Sequence, residues 1–228
     1  MKKYIIVVIL FIIIFSCNSN KENMIVKGKI NNFQKGKVYL EKMNDTLLVK
    51  VDSVTLDGDN EFVLSDNIES PEVYYISISE SNKYLQFFGE KGEISIISNL
   101  NTFGYKSIIK GSKNQEIYDE YSKTNSKFRN INLDLIKDKF DAIRLNDTVK
   151  LTKTLNKIKS NERRRYLYTI NFAVKNANYE IAPYLVLSEI PNANPKLLDT
   201  IEKSMTSKVK GSIYGKKFIK FMKDLSNN

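Results

Sequence analysis

Residues 107–121, SIIKGSKNQEIYDEY, decide the fold reading because the spacing of apolar residues changes inside them. Before Lys110 apolar residues recur with a period of two, the spacing of half-buried strands. After Gly111 they recur with a period near 3.6, the spacing of amphipathic helices. Ser112 is placed to cap the first helix, in which Ile117, Tyr121 and Phe128 share a stripe with Tyr118 beside it. The expected architecture is α+β, with a β domain over residues 24–111 and a helical domain over 112–228.

On the N-terminal side, Met24, Val26, Gly28 and Ile30 alternate with Ile25, Lys27 and Lys29. Residues 37–43 return as a second strand. Residues 46–56 form a long third strand whose phase slips near Ser53, which predicts a bulge. Asp57-Gly58-Asp59-Asn60 reads as a hairpin turn into a strand holding Phe62 and Leu64. After Pro71 the pattern is apolar on both faces, as expected of a strand covered on both sides. Residues 84–89 and 93–98 read as another hairpin, and 106–110 close the set. Seven or eight short strands predict an antiparallel sandwich or barrel.

On the C-terminal side, residues 134–145 read as a second helix, and Asp147 caps a long third one running through Ala177. Residues 181–190 make a shorter helix that tolerates Pro183 only in its first turn. Residues 197–205 and 215–225 complete the series. The last helix sets Phe218, Phe221, Met222 and Leu225 against Lys216, Lys217, Lys220 and Lys223. Such a basic amphipathic helix either lies on a membrane or packs onto its own domain.

The first seventeen residues do not belong to the fold. Lys2 and Lys3 precede an unbroken apolar run over residues 4–15, followed by Ser16 and Cys17. That order is a secretory signal, and twelve residues fall short of the roughly 20 needed to span a bilayer. Ile14-Phe15-Ser16-Cys17 resembles the lipobox of bacterial lipoproteins. The resemblance implies that residues 1–16 are removed and Cys17 is acylated as the first residue of the mature chain. Residues 18–23 then form a polar tether reaching at most about 20 Å. Asn18 stands where an Asp marks inner-membrane retention, so the expected location is the cell envelope, on the periplasmic face of the outer membrane.

Composition narrows the chemistry. Cys17 is the single cysteine, and His and Trp are absent. The commonest general base and the commonest metal ligand are therefore missing, as is any Ser-His or Cys-His pair. The net charge of +10 is uneven. Residues 24–111 carry 10 Lys/Arg against 12 Asp/Glu, and residues 112–228 carry 23 against 13. For an exported chain this asymmetry suggests an anionic lipid, a polysaccharide or an acidic protein surface rather than nucleic acid. Solvated lysines explain the same numbers.

Few constellations carry chemistry. Asp57, Asp59 and Glu61 are better explained by a turn than by a Ca²⁺ loop, which needs six to eight oxygens. Ser107/Lys110 and Ser207/Lys210 repeat a Ser-x-x-Lys spacing without the companion elements that catalysis on it requires. Arg163-Arg164-Arg165, beside Tyr166 and Tyr168, is the candidate anion site, since guanidinium groups bind carboxylate and phosphate bidentately. Three consecutive helical residues point about 100° apart, so a solvated face is the competing reading.

A wider resemblance rests on Val26-x-Gly28-x-Ile30, Gly36-Lys37-Val38-Tyr39-Leu40, Asp52-Ser53, Asp57-Gly58-x-x-x-Phe62, Pro71-x-x-Tyr74, Phe87-Phe88-Gly89-x-x-Gly92 and Gly111-Ser112-x-Asn114. These segments resemble the domain of unknown function found at the N-terminus of thioredoxin-like envelope lipoproteins. Ala182-Pro183-Tyr184-Leu185 and Ser212-x-x-Gly215 resemble the helical segment that links it to the thioredoxin domain. The resemblance implies a Trp-Cys-x-x-Cys motif further on. This sequence holds neither Trp nor a second Cys, so the redox chemistry does not carry over. The expectation is a non-enzymatic interaction or binding module with no cofactor and no metal, anchored by Cys17, whose partner is another envelope protein. The alternative is a lipoprotein that binds an anionic small ligand, lipid or polysaccharide.

Overall fold

The computed structural model describes residues 22–79 and 81–226. The leader, Cys17 and most of the tether lie outside the described residues. Eight strands come first: β1 (Met24–Asn31), β2 (Lys35–Asn44), β3 (Leu47–Asp57), β4 (Glu61–Asp66), β5 (Glu72–Ile78), β6 (Tyr84–Gly89), β7 (Gly92–Asn99) and β8 (Ser107–Lys110). They form two four-stranded sheets, ordered β4-β1-β7-β8 and β3-β2-β5-β6. Alternation along each strand puts Val26, Ile30, Leu40, Ile76, Phe87 and Ile94 between the sheets, each at most 1% exposed. Of the expected sandwich or barrel of seven or eight strands in an α+β chain, two sheets of four strands form.

Strand pairing departs from the sequence reading in three places. The turn at Asp57–Asn60 is not a hairpin: β3 pairs with β2, whereas β4 pairs with β1 in the other sheet. The segments around Tyr84–Gly89 and Gly92–Asn99 also part company, with β6 on β5 and β7 on β1. Both turns carry the chain across the sandwich, and local turn chemistry is the same for either route. Third, β1 and β7 run parallel, from Met24↔Gly92 to Asn31↔Asn99. Two strands so far apart in sequence lack a short turn to force them antiparallel. The bulge predicted near Ser53 falls at Val51, where Leu40 pairs with Asp52 but Glu41 with Lys50.

Six helices follow: α1 (Lys113–Arg144), α2 (Thr148–Lys175), α3 (Ile181–Glu189), α4 (Pro195–Ser204), α5 (Ser207–Gly211) and α6 (Ile213–Ser226). Ser112 caps α1 by accepting the Gln115 amide hydrogen at 3.1 Å, and Asp147 caps α2 through the Lys150 amide at 2.8 Å. The two helices expected within 112–145 are one. Neither Gly nor Pro occurs between Gly111 and Pro183, so nothing breaks the backbone although the apolar stripe shifts phase. Pro183 sits in the first turn of α3, where its missing N–H costs nothing.

The helical half docks on the outer face of the β3-β2-β5-β6 sheet. Val73 on β5 and Phe88 on β6 meet Ile117, Tyr121, Phe172, Ile181 and Leu185 in one buried cluster. That contact accounts for the two-sided apolar pattern after Pro71. The Phe88 ring packs edge-on against Tyr184, with centroids 5.1 Å apart. A second helical core gathers Ile170, Ala173, Val186, Leu198, Ile201, Val209 and Phe218. The apolar face of α6 is buried there, and Lys216, Lys217, Lys220 and Lys223 point to solvent.

Candidate functional site

Among the described residues, only the proximal parts of α1 and α2 pack into the buried clusters of the rest of the fold. A 32-residue helix is about 48 Å long, and α1 and α2 continue together as a hairpin past the sheet. Between Arg129 and Ser160 just three residues are buried, Leu135, Ala142 and Thr154. None of residues 129–160 joins the buried clusters described above. Leu133, Phe140, Leu145 and Val149 on this segment are 64–78% exposed. Eight Lys/Arg and four Asp/Glu accompany them. Exposed large apolar groups concentrated on one projection make it a candidate interaction surface.

At the base of the hairpin, α1 and α2 part to leave a cleft of about 580 Å³. Phe128, Leu133 and Ile158 form its apolar walls, and Arg129, Asn161 and Arg165 its polar ones. Glu189, at the end of α3, holds this base together. Its carboxylate accepts Arg129 Nη2 at 2.7 Å, Arg165 Nη1 at 3.1 Å and Asn125 Nδ2 at 3.3 Å. Arg165 Nη2 also donates to the Glu189 carbonyl at 3.2 Å. Burial works against the Arg129 charge, but Glu189 outweighs it and raises the guanidinium pKa. Asn161 donates to the Phe128 carbonyl at 3.0 Å, while the Oδ1 atoms of Asn161 and Asn125 are buried without a hydrogen-bond partner. A buried acceptor of this kind is costly and suits a ligand or side chain that brings a donor.

The predicted arginine run is divided by the structure. Arg165 is turned inward onto Glu189, and Arg163 and Arg164 are exposed on other sides of α2. The cationic pair that does form is Arg129 with Arg165, from two helices. Sequence reasoning missed Arg129 and Glu189. Glu189 left a signal, since it is the only charged residue in the apolar run 181–190. Cys17 lies outside the described residues.

Other candidates have structural explanations. Asp59 Oδ1 accepts the Asn60 and Glu61 amides, and Glu61 pairs with Lys29 at 3.1 Å. Ser107 donates to Ser98 at 3.0 Å, with no involvement of Lys110. Among the described residues no group of three or more His, Cys, Asp or Glu could hold a metal ion. A tight polar cluster at the sandwich seam joins the two sheets: Lys42 contacts Asp66 at 2.7 Å and Glu72 at 3.5 Å, and Tyr74 donates to Asp66 at 2.6 Å. Burial would raise the Asp66 pKa, but hydrogen bonds from Lys42 and Tyr74 outweigh it and hold the carboxyl below its usual range. Glu72 moves the other way, raised mainly by burial.

No curated protein and no solved structure matches this chain. A family model described as Domain of unknown function (DUF4369) matches residues 24–118. The match runs over all eight strands and the first turn of α1, and leaves the hairpin and the remaining helices outside it. Over residues 24–118 the chain is therefore similar to the DUF4369 family, a domain of unknown function.

Proposed function

We propose that this chain is a non-enzymatic binding module of the cell envelope, anchored by an acylated Cys17 at the periplasmic face of the outer membrane. In this reading the sandwich and the helical core position the α1–α2 hairpin, whose distal end engages another envelope protein. The supporting observation is the exposure of Leu133, Phe140, Leu145 and Val149 on a segment that no other element covers among the described residues. The surplus of Lys and Arg beside them suits a partner with an apolar patch rimmed by acidic residues. A thioredoxin-like envelope protein is the partner class that the family resemblance suggests. The anchor rests on the order of residues 1–17.

The test is site-specific photo-crosslinking in cells. A photoreactive residue at Val149 or Leu145 captures one dominant protein, and the same residue at Ile108, on the opposite sheet, does not. Identical adducts from both places would rule out the hairpin as the interface. Separately, Cys17→Ala abolishes acylation of the chain, read by mass spectrometry; an unchanged lipid mass removes the anchor.

A second reading, binding of an anionic ligand, lipid or polysaccharide, is favoured by the Arg129–Arg165 pair at the cleft. The Arg129 side chain is 60% exposed and keeps donors free beyond its bond to Glu189. Salt-sensitive binding of an anionic polysaccharide that is lost in Arg129→Gln would carry this reading in place of the first.

A further inference from the structure

The chain enters the fold beside a pocket that the hairpin reading does not use. Asn23, the last residue of the tether, is fixed by four hydrogen bonds, one of them from its amide to Asn67 Oδ1 at 3.2 Å. Its Nδ2 donates to the Ile68 carbonyl at 3.1 Å, its Oδ1 accepts the Ile68 amide at 2.8 Å, and its carbonyl accepts the Gly92 amide at 2.8 Å. The residues next to those contacts, Glu69 and Ser70 on one side and Lys91 on the other, line a pocket of about 490 Å³. Glu180, Ser207 and Lys208 of the helical half close it. Its size is within the roughly 300–1,000 Å³ of small-molecule sites.

Glu180 is the unusual member. It is 1% exposed, and its Oε2 accepts Asn114 Nδ2 at 3.1 Å. Its Oε1 is buried and receives no hydrogen bond. The Lys208 ammonium stands 3.5 Å from that oxygen, at the end of a side chain that is 77% exposed. Asn114 cannot turn to serve Oε1, because its Oδ1 accepts the Ile181 amide at 2.7 Å and its Nδ2 is shared with Glu90. The carboxylate is thus held in place, with one oxygen that receives no hydrogen bond and is paired, at 3.5 Å, with the exposed Lys208. A buried carboxylate oxygen without a donor is unfavourable unless a cation arrives to complete it. A ligand ammonium would do so and release Lys208, which with Lys91 then offers two cations on the same pocket to an anionic group.

We propose that this pocket binds an aminoalkyl phosphate, with a primary ammonium on Glu180 Oε1 and a phosphodiester between Lys91 and Lys208. The source we assign is the headgroup of an ethanolamine phospholipid, which rests on the membrane-anchored reading above. The tether meets the fold through residues adjacent to this pocket and spans at most about 20 Å from Cys17. The pocket is thereby kept within reach of the headgroup layer. A choline headgroup has the same phosphate but no N–H to give Glu180, and so discriminates this site from a general phosphate site.

The test uses the full chain in detergent micelles, titrated with glycerophosphoethanolamine and glycerophosphocholine by calorimetry. The ethanolamine compound binds and the choline compound binds at least about tenfold more weakly, the size of one lost charge-assisted hydrogen bond. Glu180→Gln lowers ethanolamine affinity by about tenfold or more. Lys208→Met, on an exposed side chain that leaves the fold intact, lowers it by a smaller factor. Equal binding of both compounds, or no loss in Glu180→Gln and Lys208→Met, overturns the proposal. A second arm places the chain in nanodiscs of ethanolamine or choline lipid and measures amine labelling of Lys208. Protection in ethanolamine discs alone supports the headgroup as source. Equal labelling in both discs, with the soluble compound still binding, overturns that source and leaves a soluble aminoalkyl phosphate as ligand. The micelle titration does not need the lipid on Cys17, so failure of the anchor is read separately, from the mass of the Cys17→Ala chain.

Discussion

The proximal turns of α1 and α2 bury Ile117, Tyr121, Ile170 and Phe172, whereas the distal turns of the same helices leave Leu133, Phe140, Leu145 and Val149 mostly exposed. Both halves carry apolar residues at helical spacing, and they differ in what the fold sets opposite them. The proximal half faces Val73 and Phe88 of the sheet together with Ile181 and Leu185 of α3. Among the described residues the distal half has only its own partner helix opposite it. An aromatic ladder marks the border: Tyr121 stacks on Tyr168 with centroids 5.6 Å apart, and Tyr168 meets Phe128 at 5.8 Å. Beyond Phe128 the ring contacts stop and the cleft with Asn161 begins. Amphipathic spacing therefore reports that a stripe exists, and tertiary packing decides whether it becomes core or contact surface.

The largest expected effect separating the halves is alkaline destabilisation. Burial raises the pKa of Tyr121 in the proximal half and of Tyr184 and Tyr214, which pack against the same cluster from α3 and α6, and burial followed by the Asp66 hydrogen bond raises that of Tyr74. A phenol whose folded pKa exceeds its unfolded value of 10.0 contributes stability that is complete below pH 10 and is lost as pH rises above it. Denaturant titrations should show stability falling progressively above pH 10, and a flat profile would mean that the proximal rings are not buried. Next comes Phe88→Ala, which empties the centre of the sheet–helix contact and costs about 3–5 kcal/mol in chemical denaturation. A cost below about 1 kcal/mol would show that the helices do not rely on that face.

Gly111→Ala, at the junction itself, is expected to cost about 1–3 kcal/mol. Gly111 has φ +97°, and an added Cβ would run into the Glu93 carbonyl. Glu189→Gln weakens the tie between α3 and the hairpin base. It leaves the Arg165 side chain, 21% exposed, short of its counter-charge, at about 1–3 kcal/mol. Hydrogen exchange should then quicken in residues 125–165 and not in the sandwich. The smallest effect is the Leu145→Ser, Val149→Ser pair, expected within about 0.5 kcal/mol of the parent while removing the crosslinked partner. A marked loss of stability there would show that the distal face is covered after all.

Much of the fold was legible in the residues. Period-two alternation located the strands, Ser112 and Asp147 marked helix starts, and the change of period after Gly111 separated the halves. The two-sided apolar pattern after Pro71 announced a covered strand before its cover was known. The turn at Asp57–Asn60 was legible as a turn, yet its route across the sandwich was not, because Gly and Asn satisfy the same dihedral demand either way. The candidate site was the least legible part. Arg165 was conspicuous for its neighbours Arg163 and Arg164, but it works with Arg129 and Glu189, brought together from three helices.

By itself the sequence determined periodicity, caps, turns and charge, which depend on near neighbours and on the geometry of a single helix or strand. Only the tertiary structure decided that β1 lies parallel to β7, that α1 runs unbroken past the sheet, and that Glu180 is buried with one carboxylate oxygen that receives no hydrogen bond. Each of those depends on which surfaces meet across long stretches of chain, where burial rather than local conformational preference sets the free energy.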